Sequence, residues 1–477
     1  LKAGLIIGII LVVISENRNP IRSLAWVLVL VFIPAIGVVL FYFFGQNNRK
    51  IRRISSRYKN WEDKELFLQL VEEHHNNAPV KFLLLSRLLS QVNGSILLRG
   101  SKVEVFTEGE RKFSTLLEDI RQAKKHIHME YFIFCNDTTG KELKEALMQK
   151  AAEGVTVRFL YDDLGNISVP RKFYNEMKEV GVDVRSFMKM RFSSFKSRIN
   201  YRNHRKLVVI DGTIGYIGGM NVGDSYSMDP HWRDCHLRIQ GRGVYALQFH
   251  FFRDWFSVDA PEIKITNGSY FPPCKVESDN LLQIASGGPN TEWPNLLQAT
   301  LSAILSAQKY LYIHTPYFLP TESILEALQT AALSGVDVRL MVSRKSDSPY
   351  IDPAAQSYYS VLLRAGLRIY EHQTAFIHAK TMVADDYLSV IGSANMDFRS
   401  FEMNFEINCY LYDSDLAIQN KNIFLKDLEA CKEIELNTWK KTSLVEKNYG
   451  VNHATFRTAH VERTFTNLKC LIYPIET

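Results

Sequence analysis

Cysteine is scarce. Six residues, Cys135, Cys235, Cys274, Cys409, Cys431 and Cys470, stand singly among 477 with no CxxC pair. That excludes a dense disulfide framework and reads as free thiols in a reducing compartment, each more simply a small buried hydrophobe. A bulk excess of one charge is also missing: 57 Lys and Arg face 51 Asp and Glu, a net charge of +6, too mild to mark a nucleic-acid binder. The surplus is local. Residues 47–59 hold six cations (Arg49, Lys50, Arg52, Arg53, Arg57 and Lys59) and no acid, as large a surplus as the whole chain carries. Hydrophobic residues at 46% exclude one long disordered tail, and at about 100 to 200 residues per domain the length predicts two or three domains.

Long apolar runs are present at the N-terminus. Residues 24–44 are 21 positions without a charge, about 31 Å of helix against a bilayer core of about 30 Å, which predicts a complete transmembrane helix. Trp26 and Tyr42 stand near its ends, where interfacial aromatics belong, and Pro34 is an internal kink of the kind membrane helices tolerate. Residues 3–14 are apolar but shorter, and the sequence opens on Leu1, so residues 1–14 are expected to be a truncated first span, the two forming a transmembrane helical hairpin. A cleaved signal peptide is the alternative, but Ser15-Glu16-Asn17-Arg18-Asn19-Pro20 offers no small-x-small site. The basic run follows directly, so the positive-inside rule predicts a multi-pass protein of the cell membrane with the rest of the chain on the cytoplasmic side. The same cations would lie against anionic headgroups, at about 1 kcal/mol each.

Beyond a basic juxtamembrane segment and connector (residues 45–93), the chain alternates helical stretches with short apolar runs, the rhythm of an α/β sandwich or doubly wound domain. The rhythm occurs twice. Gly154-Val155-Thr156-Val157-Arg158 returns 181 residues later as Gly335-Val336-Asp337-Val338-Arg339, and Gly181-Val182-Asp183-Val184 parallels Gly366-Leu367-Arg368-Ile369. So long a repeat means two similar domains rather than a solenoid. They are expected over residues 94–258 and 280–439, forming a bilobal, pseudo-twofold unit, with no role assigned to residues 440–477.

Each half carries His-x-Lys-x-x-x-x-Asp: His204, Lys206 and Asp211 in the first, His378, Lys380 and Asp385 in the second. Asn221 and Asn395 each follow their histidine by 17 residues, in the small-residue turns Gly218-Gly219-Met220-Asn221 and Gly392-Ser393-Ala394-Asn395. On a strand, positions i and i+2 share a face, so each histidine would project with its lysine. Asp211 and Asp385, at the odd offset i+7, would turn away and fix the backbone rather than act on substrate. Asp234, 30 residues after His204, and Glu406, 28 after His378, are the better placed carboxylates to orient the imidazole of their own half; an ordinary salt-bridge role is the competing reading. Two such sets converging on one phosphate could transfer it. The lysines neutralise its oxygens, the asparagines donate hydrogen bonds, one imidazole attacks phosphorus and the other moves the proton. A metal-ligand role is disfavoured by the lysine beside each histidine, which would repel a cation, and no metal or other cofactor is expected.

These residues resemble the duplicated HKD motif of the phospholipase D superfamily. Together with Glu16-Asn17-Arg18-Asn19-Pro20, Asn203-His204-Arg205-Lys206 and Asn395-Met396-Asp397-Phe398-Arg399-Ser400-Phe401, the chain is similar to the bacterial cardiolipin synthase family. The resemblance covers about residues 94–439. It implies a cell-membrane enzyme that joins two phosphatidylglycerol molecules with release of glycerol. His204, Lys206, Asp211, His378, Lys380 and Asp385 would be its active-site positions, and the usual order in the superfamily favours His204 as the nucleophile and His378 as the acid and base. Residues 187–206, with seven cations interleaved with Phe187, Phe192, Phe195 and Tyr201, suit a loop dipping into an anionic interface. Anionic phospholipid and membrane are thus the expected partners, and nucleic acid is not. The alternatives are a phospholipase D or another phospholipid synthase, a membrane-bound nuclease, and a silent scaffold.

Overall fold

A computed structural model describes residues 8, 20–41, 80–189, 201–258, 260, 263, 270–348 and 351–439. The apolar run at the N-terminus is not one rod. It forms two short helices, Pro20–Phe32 and Pro34–Leu40, of 13 and 7 residues. Proline has no N–H to donate and its ring disfavours helical geometry in the preceding residue, and Ile33 duly leaves the helix at φ −133°, ψ 63°. The two pieces pack on each other. Trp26 meets Phe41 edge to face at 5.4 Å, Leu30 is fully buried, and Gly37 lies so close to the backbone of Val29 that a Cβ there would come within 2.8 Å of its carbonyl oxygen. At about 20 Å the longer helix falls short of a bilayer core, and no helix among the described residues is long and apolar enough to cross a membrane. The expected transmembrane hairpin, and with it the multi-pass placement, is therefore corrected. The expected first span (Gly8 apart), the basic run at 49–59 and the tail after residue 439 lie outside the described residues.

The remainder is built on two mixed sheets. The first has seven strands, in spatial order Ser101–Phe106, His236–Gly241, Ile214–Gly218, Leu207–Ile210, His126–Tyr131, Thr156–Asp162 and Asp183–Phe187. The second repeats it with Leu281–Gly287, Glu406–Tyr412, Leu388–Gly392, Thr381–Ala384, Tyr310–His314, Asp337–Ser343 and Arg368–His372. In both, the spatial order is the first, last, sixth, fifth, second, third and fourth strand of that half. The second sheet is widened by Cys431–Glu433 at one edge and by Leu98–Arg99 at the other, where the strand pairs antiparallel with Leu281–Gly287.

Strand alternation sorts side chains into three cores. In Leu207–Ile210, Leu207 and Val209 enter a core shared by the two halves, while Val208 and Ile210 face the helices outside the first sheet. Ile407, Cys409 and Leu411 likewise enter the shared core, and Tyr410 and Tyr412 the outer core of the second half. Between the sheets lie the helices Gly243–Ser257, contributing Phe251, Phe252 and Trp255, and Ser414–Leu428, contributing Leu416, Ala417 and Phe424. Burying a large aromatic contributes about 2 to 3 kcal/mol, so these rings help hold the two halves together. Asp137 and Asp413 cap helices by accepting from the N–H of Gly140 at 3.0 Å and of Leu416 at 2.9 Å.

Candidate active site

Both histidines precede their strands rather than lie on them: Leu207–Ile210 and Thr381–Ala384 begin just after Lys206 and Lys380. Each histidine segment is instead stitched, in parallel, to the other half. Asn203 bridges to Phe405, with the His204 N–H donating to the Phe405 carbonyl at 2.9 Å. Phe376 and Ile377 pair with Trp232 and Arg233, and the His378 N–H donates to the Arg233 carbonyl at 2.7 Å. The end of a parallel strand anchors each segment from below. The Asp162 carboxylate accepts from the Asn203 N–H at 2.9 Å, and the Ser343 hydroxyl from the Ile377 N–H at 2.7 Å.

This stitching crosses the carboxylates. His204 Nδ1 lies 3.0 Å from the Glu406 carboxylate, and His378 Nδ1 lies 2.5 Å from Asp234 Oδ2. The expected pairing within each half is thus corrected: each imidazole is oriented by the other half. His204 Nδ1 is also 3.2 Å from the Ser393 carbonyl. Since a carboxylate and a carbonyl can only accept, Nδ1 carries the proton and Nε2 keeps its lone pair. Glu406 also accepts from the hydroxyls of Ser393 at 2.5 Å and Ser400 at 2.9 Å. Burial would raise the pKa of both carboxyls, but Lys380 and His378 outweigh it at Asp234, and His204 and Lys206 at Glu406, so both stay ionised.

The lysines complete the cluster. Lys206 Nζ donates to the His204 carbonyl at 2.6 Å, and Lys380 Nζ to that of His378. Lys206 is shut off from solvent and Lys380 nearly so, and burial lowers their pKa to about 7 and about 8 against the pull of Asp234 and Glu406. Burial also lowers His204, and lowers His378 to about 3. Each lysine depresses the histidine of the other half as well as its own, so the two sets share one electrostatic pocket.

Asp211 and Asp385 stand at the far ends of the strands. The Asp211 carboxylate accepts from the backbone N–H groups of Lys124, Lys125 and His126 at 2.7–2.9 Å. Asp385 does the same with Gln308, Lys309 and Tyr310 at 2.7–2.9 Å and pairs with Lys81 at 2.5 Å. Both sit in hairpin turns at positive φ, 53° and 56°. Asn221 accepts from the Ile133 N–H at 3.2 Å and donates to Tyr226 at 3.0 Å, whereas Asn395 donates to Asp397 at 3.1 Å. Aromatic rings wall the imidazoles: Phe132 lies 4.9 Å from His204, and Trp232 lies 5.0 Å from His378. Ser393, Phe132 and Trp232 escaped the sequence reading as site residues, although Ser393 and Trp232 flank motifs it singled out.

The basic and aromatic stretch at 187–206 is partly outside the described residues. Of the rest, Phe187, Arg202, Arg205 and Lys206 are buried, so they form no surface loop. The five described cysteines are free. Among the described residues, no three His, Cys, Asp or Glu side chains are grouped to hold a metal ion.

The family profile described as "Cardiolipin synthase, PLD-like domain" matches residues 116–255 and 300–428, and one described as "Phospholipase_D-nuclease N-terminal" matches residues 4–46. The chain is 39% identical over 436 residues to the major cardiolipin synthase ClsA of Bacillus subtilis (strain 168), spanning 88% of this chain and 89% of that protein. It is 37% identical over 458 residues to cardiolipin synthase 1 of Bacillus anthracis, spanning 93% and 90%. A phosphatidylserine synthase of Haemophilus influenzae Rd KW20 shares the fold, with a TM-score of 0.54 at 15% identity over 78% of this chain and 99% of that one. With both duplicated domains matched and nearly the whole length aligned, the chain belongs to the cardiolipin synthase family of phospholipase D-like phosphatidyltransferases.

Proposed function

We propose that the protein transfers a phosphatidyl group from one phosphatidylglycerol to another, giving cardiolipin and glycerol. The observation that carries this reading is the crossed pairing of each histidine with the carboxylate of the other half, which brings two imidazoles and two ammonium groups around one position. His204 Nε2 attacks phosphorus, the bond from phosphorus to the glycerol oxygen breaks, and His378 gives that oxygen its proton. The hydroxyl of the second phosphatidylglycerol then passes its proton to His378 and attacks phosphorus, and the bond to His204 breaks. The doubly anchored Nδ1–H of His204 supports it as nucleophile; the shorter bond from His378 to Asp234 supports that ring as the one carrying a positive charge. Lys206 and Lys380 balance the phosphate oxygens, and Asn221 and Asn395 support them with the remaining amide N–H of each. Asp211 and Asp385 act by holding the hairpins.

Burial is the main cause of the low His378 pKa and the two ammonium groups add to it; a bound phosphodiester anion counters the ammonium groups and so raises it. The lipid is met at a membrane surface, a reading supported by the outward apolar residues Leu24, Leu28, Phe32 and Ile36 of the two N-terminal helices. Incubating the purified protein with labelled phosphatidylglycerol tests the proposal. Cardiolipin and glycerol should appear together, with His204→Ala and His378→Ala each reducing conversion at least about 10³-fold. Phosphatidic acid without a four-chain product would refute the transfer.

A further inference from the structure

Outside the motifs, one half-buried ion pair, Arg233 with Asp427, touches both sides of the site. Asp427 lies in the last turn of the helix Ser414–Leu428, a part of the second half with no chemistry of its own. Its carboxylate faces Arg233 in a fork: Oδ1 accepts a hydrogen bond from Nε at 3.0 Å, and Nη2 lies 2.9 Å from Oδ2 as an ion pair. The third nitrogen, Nη1, donates to the carbonyl of Asp234 at 2.6 Å and of Thr107 at 3.1 Å. Asp234 is the carboxylate that orients His378. On its other side Asp427 lies 3.3 Å from His314 Nε2, whose Nδ1 is 2.8 Å from the Thr381 hydroxyl, directly after Lys380. Two short chains of polar contacts, one through Arg233 and one through His314, therefore run from Asp427 to His378 and Lys380. Burial would raise the Asp427 pKa, but His314 and Arg233 bring it down to about 2, so the fork stays charged.

The other orienting carboxylate has a matching support. Arg205 Nε donates to the carbonyl of Glu406 at 3.2 Å while Nη1 pairs with Asp254 near the end of the helix Gly243–Ser257. In both cases an arginine donates to the main-chain carbonyl of the orienting residue and an aspartate near the end of a helix between the sheets pairs with that arginine; one contact of each set crosses between the halves, Arg233 to Asp427 in the first and Arg205 to Glu406 in the second. A planar guanidinium bound at two edges fixes direction as well as distance.

We infer that Asp427 is a positioning residue, holding Asp234 through Arg233 so that His378 delivers its proton to the departing glycerol. This inference rests on the assignment of His378 proposed above. Its signature is dependence on the leaving group: glycerol needs a proton to depart, whereas p-nitrophenolate leaves without one.

Asp427→Asn should be compared with the unsubstituted protein on phosphatidylglycerol and on phosphatidyl-p-nitrophenol. The expected result is a fall of about tenfold or more in the first-turnover release of glycerol from phosphatidylglycerol with KM within about twofold, and a change below about twofold in the first-turnover release of p-nitrophenolate, because the later step, which uses His378 as base, is common to both lipids. An equal fall on both lipids would reveal a merely structural role and overturn the inference, as would no fall on either. If Asp427→Asn does not fold, Arg233→Lys, which keeps the charge but loses the fork, is put through the same comparison with the same criteria. His378→Ala on the two lipids separates the inference from its foundation. Should that variant slow the first-turnover release from both lipids equally, the assignment of His378 as the acid fails and the inference falls with it; selective slowing on phosphatidylglycerol leaves Asp427 to be judged by its own variants.

Discussion

Gly219 and Ser393 occupy equivalent places, two residues before Asn221 and Asn395, yet they serve their carboxylates in opposite ways. Ser393 donates its hydroxyl to Glu406, whereas a Cβ on Gly219 would come within 2.2 Å of Asp234 Oδ1. Gly219→Ala is therefore expected to push Asp234 away from His378 and lower kcat by about tenfold to 100-fold with little change in thermal midpoint, measured as initial rates on phosphatidylglycerol beside a melting curve. Unchanged kcat would mean that the Asp234 contact is dispensable.

The lysines give a pH dependence of definite sign. In the lipid-free protein burial lowers Lys206 to about 7 and Lys380 to about 8, so positive charge is lost as pH rises through that range, while a bound phosphodiester favours the charged forms. KM for phosphatidylglycerol should accordingly rise from pH 7 to pH 9 more than kcat changes, and lipid binding should take up protons, seen as a binding enthalpy that varies with buffer ionisation. A KM that stays level across this range would contradict the assignment. The residue types were legible beforehand because His, Lys and Asn recur at matched offsets. Their protonation was not, since it depends on burial that no spacing encodes.

Among elements, the hairpins carry the test of the two motif aspartates. Each carboxylate replaces solvent for three backbone N–H groups at the start of a neighbouring strand. Losing such bonds costs about 1 to 3 kcal/mol. Asp211→Asn and Asp385→Asn should each lower the melting temperature by several degrees, while kcat well below the transition stays within about tenfold of the parent. A loss of kcat like that of His204→Ala, with unchanged stability, would place them in the chemistry instead. For Asp385 the folded-state pKa is depressed: burial opposes this, but Lys81 and three backbone donors prevail. Its stabilisation is therefore present above the unfolded carboxyl value and fades as pH falls through the folded one, so the acid limb of stability against pH should flatten in Asp385→Asn.

Strand alternation and the odd offset of the aspartates were readable in the sequence, because both follow from the two-residue period. That the histidines precede their strands was not, since their partners are the Phe405 and Arg233 carbonyls of the other half. The apolar run shows the converse: its length spoke for one helix, but Pro34 removed a donor and Ile33 left the helix.

For the molecule as a whole, the crossed carboxylates make the two halves chemically interdependent. With nitrogen-labelled histidine, Glu406→Gln should move the Nδ1 resonance of His204 and leave that of His378 nearly in place, and Asp234→Asn should do the reverse. Shifts confined to the histidine of the same half would restore the pairing that linear spacing suggests. The shared core explains why the crossing persists: Leu207, Val209, Ile407 and Cys409 pack together with Trp255 and Phe424 between the sheets, so a change in the angle between the halves would open that core and part both pairs at once.

Duplicated domains, the paired histidines, lysines and asparagines, and the family are properties of residue type and offset, and they could be read along the chain. The carboxylate that meets each imidazole, the burial that lowers the lysines and the fold-back of the apolar run at Pro34 arise where segments distant in the chain, or facing helices, come within about 3 to 5 Å. Hydrogen bonding and desolvation act over that range in space, and a linear offset carries no information about it.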